Sequence, residues 1–245
     1  MIRSDITAVV LAGGFGTRIR HLLQEVPKPM AEVAGRPFLE HVVRYLASFG
    51  FNRIILSTGY RSEMVEAHFS TARFTGIEIT CAREPEPRGT AGGFLEAARS
   101  ASMPPSSWLV LNGDSLIFAD LRKFAEAFDR YHCEAALIGL QVDDTTRFGS
   151  IRYEPDGQLR GFSEKQPGAG TINAGVYLFQ NQALAKFPNR IPLSFEVDVF
   201  PALLQRGIKI HVHQVQVPFL DIGTPESLPA AAAFIRANMP ISLQV

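Results

Sequence analysis

Three glycines and two basic residues near the start of the chain have the types and spacing needed to hold phosphate groups. Three of the four residues at 13–16 are glycine, and they follow an apolar run at 6–11 that predicts a buried strand. Backbone N–H groups can approach a bulky anion closely at glycine, because no Cβ stands in the way. Arg18 and Lys28 would add positive charge at the same end of that strand. The pattern predicts a site that handles a nucleoside triphosphate.

The glycine segment alone could be no more than a tight turn. It matches neither the Walker pattern, which requires Gly-Lys-Ser/Thr, nor the spaced glycines of the dinucleotide-binding fingerprint. The prediction therefore depends on Arg18, Lys28 and two downstream aspartates taken together. Asp114 and Asp221 each follow an apolar run, so their carboxylates could ligate one Mg²⁺ that also bridges a substrate's phosphates. A helix cap or a turn is the ordinary alternative for either aspartate.

Other polar residues are suited to a base and a sugar. Glu84 precedes a turn of small residues against which a flat base could lie, and its carboxylate could accept a hydrogen bond from an exocyclic amine. Lys165 could hold a second phosphate, while Glu164 and Asn173 could bind sugar hydroxyls. Gly149 would permit the close approach of a ligand or mark a bend. The alternatives are that Glu84 is a solvated carboxylate of a loop and that Glu164 and Lys165 form an exposed surface pair.

The composition is that of one ordinary globular domain. The chain has 245 residues, of which 46% are hydrophobic and 20% are charged. Its 24 basic and 24 acidic residues balance, which argues against a general nucleic-acid or membrane-surface binder. Cys81 and Cys133 lack metal-ligand spacing, and we expect buried free thiols. Because we find no leader and no apolar stretch of membrane length, we expect a cytoplasmic protein.

Alternating strands and helices must position these residues. In the first half we predict strands at 6–11, 53–57, 77–81 and 108–111, with helices at 37–49, 63–69 and 90–99 and a further helix capped by Asp120. In the second half we predict closely spaced strands at 135–142, 149–153, 159–163, 171–179 and 208–217. A last helix would open at Thr224-Pro225-Glu226. This order predicts an α/β fold with a mainly parallel sheet and a second half that packs on it as a substrate-binding lobe.

Eight motifs give the chain a specific resemblance to a known family. They run in the family's order over nearly the whole chain: LAGGFGTR (11–18), PKPM (27–30), GRP (35–37), EPEPRGTAGG (84–93), NGD (112–114), FSEK (162–165), NAGVYLF (173–179) and DIGTPE (221–226). In these motifs the chain resembles the sugar-1-phosphate nucleotidyltransferases, or NDP-sugar pyrophosphorylases. Within the family it is most similar to the guanylyltransferases for D-glycero-D-manno-heptose 1-phosphate and mannose 1-phosphate, and more to the former.

The resemblance implies a fold and a reaction. The fold would be a Rossmann-like, mainly parallel sheet flanked by helices, with a small β-rich sugar-binding lobe. It would form a single domain over 1–245, with a nucleotide-binding half at about 1–130 and a sugar-phosphate-binding half at about 131–245. A phosphate oxygen of the sugar 1-phosphate would attack the α-phosphorus of a triphosphate, GTP by preference, and release pyrophosphate with Mg²⁺ as cofactor. No acid–base residue is required, because the nucleophile is already anionic.

The resemblance also implies roles for individual residues. Catalysis would use Arg18 and Lys28, and Mg²⁺ would be held by Asp114 and Asp221. The nucleotide would contact Leu11, Ala12, Gly13, Gly14, Gly16, Thr17, Glu84, Gly89, Thr90 and Asn112. The sugar phosphate would contact Gly149, Glu164, Lys165 and Asn173.

Some features depart from the family or leave alternatives open. Arg18-Ile19-Arg20-His21 replaces the common Arg-Leu-x-Pro, which predicts a looser turn toward Lys28. Because the C-terminal β-helix of longer members is missing, we expect no added acyltransferase domain. The same reaction with another base or sugar (uridylyl, thymidylyl or cytidylyl transfer), a non-catalytic nucleotide-sugar sensor and a dinucleotide-binding oxidoreductase remain alternatives. Ser57-Thr58-Gly59 argues against the last, because a ribose-binding acid is expected there. Phe195 and Phe200 would suit either a homodimer interface or the core.

Overall fold

The structure, a computed structural model, describes residues 5–14, 16–23, 26–72, 74–163, 167–240 and 243. The predicted alternation of strands and helices in the first half is confirmed. Its elements are β1 (Ile6–Ala12), β2 (Glu32–Val33), β3 (Arg36–Pro37), α1 (Phe38–Ser48), β4 (Arg53–Thr58), α2 (Ser62–Thr71), β5 (Glu78–Arg83), α3 (Thr90–Ser100), β6 (Ser107–Asn112), β7 (Ser115–Ile117) and α4 (Leu121–Arg130). Short 3₁₀ turns at Arg20–Leu22 and Lys28–Met30 lie between β1 and β2.

The second half is rich in strands, as predicted. Its elements are β8 (Ala135–Val142), β9 (Ser150–Tyr153), β10 (Leu159–Ser163), β11 (Gly170–Gln180), α5 (Phe200–Gln205), β12 (Ile210–Val215), β13 (Phe219–Asp221) and α6 (Ser227–Asn238). A 3₁₀ helix at Asn181–Lys186 follows β11, and a π-helix at Phe195–Val199 runs directly into α5. The short strands β2, β3, β7 and β13 and the π-helix were not predicted from the sequence.

A nine-stranded mixed sheet joins the two halves. Its parallel part has the order β5-β4-β1-β6. β11 pairs antiparallel with β6 on one side and with β8 on the other, and β12 pairs parallel with β8. The antiparallel pair β9–β10 completes the sheet beside β11. The predicted α/β fold with a β-rich second half is therefore confirmed.

The sheet separates two hydrophobic cores. Ala8 and Val10 of β1 belong to the core formed with α1, α2, α4 and α6, whereas Val9 belongs to the core formed with α3 and α5. Successive strand residues point to opposite faces, and helices cover both, which explains the unbroken apolar run. Phe195 and Phe200 are fully buried in the second core. Of the two alternatives predicted for these residues, a homodimer interface or the core, the core is therefore correct. The homodimer itself remains a prediction.

The starts of α4 and α6, which both pack in the first core, show how far local sequence determines local structure. Asp120 caps α4 as predicted, because its Oδ1 accepts hydrogen bonds from Arg122 N (3.0 Å) and Lys123 N (3.3 Å). α6 begins later than predicted, at Ser227. Thr224 still organises its start, since Ser227 N donates to Thr224 Oγ1 at 3.2 Å and Thr224 N donates to Ser227 Oγ at 3.1 Å.

Two further predictions concern the state of the cysteines and the presence of membrane-spanning segments. Both thiols are free; Cys133 is buried, whereas Cys81 is only partly buried. Burial raises the pKa of the Cys81 thiol to about 11. Among the residues described, no helix combines the length and the apolar character needed to cross a membrane.

Candidate active site

An open cleft of about 520 Å³ lies at the carboxyl edge of the parallel strands. The strand register places Leu11 opposite Asn112 and Ala12 opposite Thr58, so the segments that follow β1, β4 and β6 meet at one edge. Ligands bind at this edge in open α/β sheets. The predicted site residues that line the cleft are Leu11, Gly13, Gly14, Gly16, Thr17, Arg18, Lys28, Glu84, Gly89, Thr90, Asn112, Asp114 and Asp221.

The remaining predicted site residues lie elsewhere. Ala12 is buried in β1, and Gly149 precedes β9. Asn173 lies in β11 and is not among the residues that line the cleft. Glu164 and Lys165 lie outside the described residues. The cleft has further lining residues to which the sequence analysis gave no binding role: Ile19, Pro29, Pro87, Arg88 and Gly223.

Lys28 lies between the two predicted metal ligands. Its Nζ is 2.7 Å from Asp114 Oδ2 and 3.7 Å from Asp221 Oδ1. The Lys28 residue is only 8% exposed, whereas the two carboxylates are partly open to the cleft. A buried ammonium requires such partners, because an unpaired buried charge is costly. The three charged groups predicted at 28, 114 and 221 are therefore brought together.

The glycine loop supports Lys28 directly. Gly16 has a positive φ of 58°, and a Cβ added there would lie 2.8 Å from Lys28 Cβ. The lysine stem thus packs against a backbone position where a side chain does not fit. Ile19 is fully buried, and its N–H donates to Gly16 O at 3.1 Å. These contacts stabilise the described part of the turn, and the looser turn stays a prediction.

A small two-stranded sheet brings Asp221 to Asp114. β13 pairs antiparallel with β7, which places Asp221 opposite Ser115, the residue after Asp114. The backbone adds a second connection, since Ile222 N donates to Asp114 O at 3.1 Å. Gly223 N donates to Asp221 Oδ1, which fixes that carboxylate. Asp114 and Asp221 lie far apart in the sequence, and these backbone contacts make them neighbours.

The donor set is suited to a divalent cation shared with a substrate. Within the described part of the chain, no group of three or more His, Cys, Asp or Glu side chains is placed to hold a metal ion. The two carboxylates of Asp114 and Asp221 already enclose a cation, the Lys28 ammonium. Mg²⁺ characteristically takes one or two carboxylates and completes its coordination with waters and substrate phosphates. The arrangement therefore fits Mg²⁺ in the presence of a phosphate ligand.

Glu84 is wedged between the glycine loop and α3. Ser57 Oγ donates to its Oε1 at 3.1 Å, and Arg88 N donates to its Oε2 at 3.3 Å. A Cβ added at Gly13 or Gly93 would approach Oε1 within 2.5 or 2.6 Å, so both glycines are needed for this fit. Burial raises the pKa of the Glu84 carboxyl, although the two hydrogen bonds oppose that shift. Glu84 therefore shapes the loop as well as lining the cleft.

The first turn of α3 is tied to the segment before the π-helix. Leu193 O accepts hydrogen bonds from Ala91 N (2.9 Å) and Gly92 N (3.2 Å). A Cβ at Gly89, whose φ is 77°, would lie 2.5 Å from the same oxygen. Thr90 Oγ1 accepts a hydrogen bond from Phe195 N at 3.1 Å. The helix N–H groups are thus partly satisfied by the protein itself, and this end of α3 forms a wall of the cleft.

Asn112 is held in place by an irregularity in β11. The register of β11 against β8 shifts between Asn173 and Tyr177. Gly175 lies in this irregular stretch with a φ of 71°, and a Cβ there would lie 2.7 Å from Asn112 Cγ. Glycine at 175 therefore makes room for the Asn112 side chain at the cleft.

Three polar residues at or near the cleft, Arg88, Tyr177 and Glu196, are not among the predicted site residues. Arg88 lines the cleft, and its buried Nε has no hydrogen-bond partner. Its presence in the motif at 84–93 is the signal that could have identified it. Tyr177 and Glu196 share a hydrogen bond of 2.9 Å beside Asn173. That pair depends on contacts distant in sequence, so no local pattern indicates it.

Comparison with protein families gives a match over nearly the whole chain. A family model described as "Nucleotidyl transferase" matches residues 7–238. A mannose-1-phosphate guanylyltransferase of Mycobacterium tuberculosis is 34% identical over 244 residues, covering 98% of this chain and 67% of that protein. A D-glycero-alpha-D-manno-heptose 1-phosphate guanylyltransferase of Aneurinibacillus thermoaerophilus is 34% identical over 226 residues, covering 89% of this chain and 94% of that protein. A mannose-1-phosphate guanylyltransferase catalytic subunit beta of Drosophila pseudoobscura is 31% identical, and the match spans only 59% of its length.

Solved structures share the fold. HddC from Yersinia pseudotuberculosis, crystallised with GMP-PN, superposes with a TM-score of 0.81 at 31% identity, over 93% of this chain and 98% of that chain. A Bacillus anthracis protein assigned as a glucose-1-phosphate thymidylyltransferase, in complex with sucrose, gives a TM-score of 0.83 over 97% of this chain and 98% of that chain. Its identity of 22% supports the fold alone.

Proposed function

Because the chain belongs to the nucleotidyl transferase family, we propose that it joins GTP to a sugar 1-phosphate and forms a GDP-sugar and pyrophosphate. The observation that carries this proposal is the contact of Lys28 with Asp114 and Asp221 beside the glycine loop. That arrangement offers a cationic group and two metal ligands where a triphosphate would lie. The guanylyltransferase names of the relatives, and the GMP-PN bound to HddC, support guanine as the base.

The sugar substrate that we propose is D-glycero-α-D-manno-heptose 1-phosphate. The heptose 1-phosphate guanylyltransferase of A. thermoaerophilus is 34% identical over 226 residues, and this similarity supports the choice. Mannose 1-phosphate is the second candidate, because the M. tuberculosis relative is equally similar in sequence. Both candidate sugars have the manno configuration, so the protein would contact the ring hydroxyls of either sugar in the same way.

The proposed reaction is a single displacement at phosphorus. A phosphate oxygen of the sugar 1-phosphate attacks the α-phosphorus of GTP, a new P–O bond forms, and the bond to pyrophosphate breaks. Arg18, Lys28 and the backbone N–H groups of the loop at 11–18 neutralise charge on the phosphates and align the two anions. When bound to Asp114 and Asp221, Mg²⁺ would supply further positive charge to the phosphate oxygens. The nucleophile is already anionic, so no residue needs to remove a proton.

We assign the two substrates to the two halves of the chain. The half at about 1–130 would bind the nucleotide through the glycine loop, Asn112 and the wall formed by Glu84, Gly89 and Thr90. The half at about 131–245 would bind the sugar phosphate through Gly149, Glu164, Lys165 and Asn173. This division is supported by the position of Asn112 at the junction of β6 with β11, where the halves meet.

The proposal also covers partners and location. We propose small-molecule substrates rather than nucleic acid or membrane as partners, since 24 basic and 24 acidic residues give no net charge. We propose the cytoplasm as the compartment, where nucleoside triphosphates are available. A homodimer remains part of the proposal and would be measured by analytical ultracentrifugation.

The direct test is pyrophosphate release by the purified protein with Mg²⁺. GTP, ATP, UTP, CTP and dTTP are each combined with D-glycero-α-D-manno-heptose, mannose, glucose and N-acetylglucosamine 1-phosphates. We expect the highest kcat/KM with GTP and the heptose 1-phosphate. Triphosphate binding without pyrophosphate release from any pair would contradict the proposal and favour a nucleotide-sugar sensor.

A further inference from the structure

A carboxylate held by three uncharged donors lies next to residues that line the cleft. Glu196 Oε1 accepts hydrogen bonds from Tyr177 Oη (2.9 Å) and Asn173 Nδ2 (3.2 Å). Its Oε2 accepts a hydrogen bond from Ser194 Oγ at 2.9 Å. Asn173 Nδ2 also donates to Tyr177 Oη at 2.8 Å, which closes the network. Two elements, β11 and the start of the π-helix, therefore fix the orientation of the Glu196 carboxylate.

The network adjoins the cleft on two sides. On one side Phe195, the neighbour of Glu196, donates its N–H to Thr90 Oγ1 at 3.1 Å. On the other side Gly175, in the irregular stretch of β11, packs against the Asn112 side chain. Thr90 and Asn112 both line the cleft. Glu196 is thus placed next to the nucleotide wall, on the side of the sugar-phosphate-binding half.

The charge of Glu196 has no cationic partner among the residues that the structure describes. Its acceptor contacts there are the three uncharged groups of Tyr177, Asn173 and Ser194. Asp198 on the same helix differs, since its Oδ1 lies 3.1 Å from Arg190 Nη1 and its Oδ2 accepts from Ser194 N at 2.8 Å. A carboxylate has about four acceptor positions, of which three are filled at Glu196. A partly buried, unpaired carboxylate is costly to keep and is characteristic of a binding site.

We propose that Glu196 accepts a hydrogen bond from a ring hydroxyl of the sugar 1-phosphate. Asn173, Tyr177 and Ser194 are positioning residues for its carboxylate. This assignment rests on the function proposed above and modifies the role predicted for Asn173. Both N–H donors of the Asn173 amide are used inside the network, and its Oδ1 accepts a hydrogen bond from Gly175 N at 3.1 Å. Glu196 keeps about one acceptor position for a sugar hydroxyl, and as a carboxylate it is the strongest acceptor of this network.

The test measures binding, so that it does not depend on turnover. Calorimetry gives the Kd of D-glycero-α-D-manno-heptose 1-phosphate and of α-D-mannose 1-phosphate, with a non-hydrolysable GTP analogue present, for the wild type and for Glu196→Gln. We expect the variant to bind the better of the two sugar phosphates about 10- to 100-fold more weakly, as for loss of a hydrogen bond to a charged group. The affinities for the GTP analogue and for inorganic phosphate should stay within about twofold. Val197→Ala is the matched control, because Val197 lies on the same helix and is 75% exposed.

Sugar analogues identify the hydroxyl. Among analogues that each lack one ring hydroxyl, one should bind the wild type and Glu196→Gln equally well, while the others keep the difference. If Glu196→Gln does not fold, Tyr177→Phe removes one donor, keeps the carboxylate, and should weaken the same sugar phosphates by about threefold to tenfold.

Unchanged sugar-phosphate affinity in Glu196→Gln, or an equal loss for inorganic phosphate, would overturn this inference. Lack of sugar-phosphate binding by the wild type would overturn it as well. These results are distinct from failure of the proposed function, which is the absence of pyrophosphate release by the wild type.

Discussion

Lys28 lies between the two carboxylates that we propose as ligands of Mg²⁺. The ammonium approaches Asp114 to 2.7 Å and Asp221 to 3.7 Å, and it is almost entirely enclosed. A metal ion bound to the same carboxylate oxygens would lie close to the Lys28 ammonium, and the two positive charges would repel each other strongly. A triphosphate offers the ammonium other oxygens, so its arrival would free the carboxylates for the metal. The protein without nucleotide should therefore bind divalent cations weakly.

Removing the Lys28 charge tests this competition. In the absence of nucleotide, we expect Lys28→Met to bind Mn²⁺ at least about tenfold more tightly than the wild type, because a like charge about 4 Å away is removed. Electron paramagnetic resonance of free Mn²⁺ measures the affinity. Arg18→Met is the control, since Arg18 is an exposed cation of the same cleft. If both variants bound Mn²⁺ more tightly by the same factor, the cause would be the loss of positive charge from the cleft as a whole. That result would contradict a specific competition between Lys28 and the metal ion.

Lys28 and Asp114 should also be required for turnover. We expect Lys28→Ala and Asp114→Ala each to lower kcat/KM by about 10²- to 10³-fold, because each removes a group that stabilises charge in the transition state. Steady-state pyrophosphate release measures the loss, and circular dichroism confirms that the fold is retained. Near-wild-type activity of a folded variant would refute the role of that residue.

Gly16 should be far less tolerant of a side chain than Gly14. A Cβ at Gly16 meets the Lys28 stem at 2.8 Å, and its φ of 58° adds strain of about 1–2 kcal/mol for other residues. A Cβ at Gly14 meets nothing within 4 Å. We expect Gly16→Ala to lower the free energy of unfolding by at least about 1 kcal/mol, and Gly14→Ala to change it by less than about 0.5 kcal/mol, in urea denaturation. Equal stabilities would contradict the packing described.

At the scale of elements, the sequence predicts what depends on neighbours along the chain. Apolar runs identified the long strands, and the position of Asp120 before an apolar helical face identified the cap of α4. Asp114 could be singled out because it directly follows a strand. The proximity of Asp221 could not be predicted, because it depends on the pairing of β13 with β7, two strands of three residues each. The network of Asn173, Tyr177 and Glu196 could not be predicted either, because it joins β11 to residues 19 to 23 positions later in the chain.

The α4 cap gives an element-scale prediction. Asp120 accepts hydrogen bonds from two backbone N–H groups that would otherwise lack a partner in the helix. We expect Asp120→Ala to lower the free energy of unfolding by about 1 kcal/mol, measured by urea denaturation. Glu126→Ala is the control, because Glu126 is an exposed residue in the interior of the same helix. A loss of stability confined to the control variant would contradict the cap.

At the scale of the whole molecule, the sheet explains why residues from distant segments form one site. Parallel strands β1, β4 and β6 end at the same edge, so the loops after them meet there. The second half joins β6 through the antiparallel strand β11, whose Gly175 packs against Asn112 at that edge. The two cores on opposite faces hold this edge fixed, and the loops above it supply the chemistry.

The same burial makes the stability of the whole molecule depend on pH. Desolvation by burial is the largest cause that lowers the pKa of His41, His211 and His213 from the usual value of 6.5. Between the lowered values and 6.5 the unfolded chain binds more protons than the folded one, so stability rises with pH. The stabilisation is fully present above about pH 6.5 and is lost as the pH falls below it. We expect urea midpoints to be constant from pH 8 to 7 and to fall toward pH 5.5, and His213→Gln to reduce that fall. Midpoints that stay level to pH 5.5 would show that these histidines are protonated in the fold without cost.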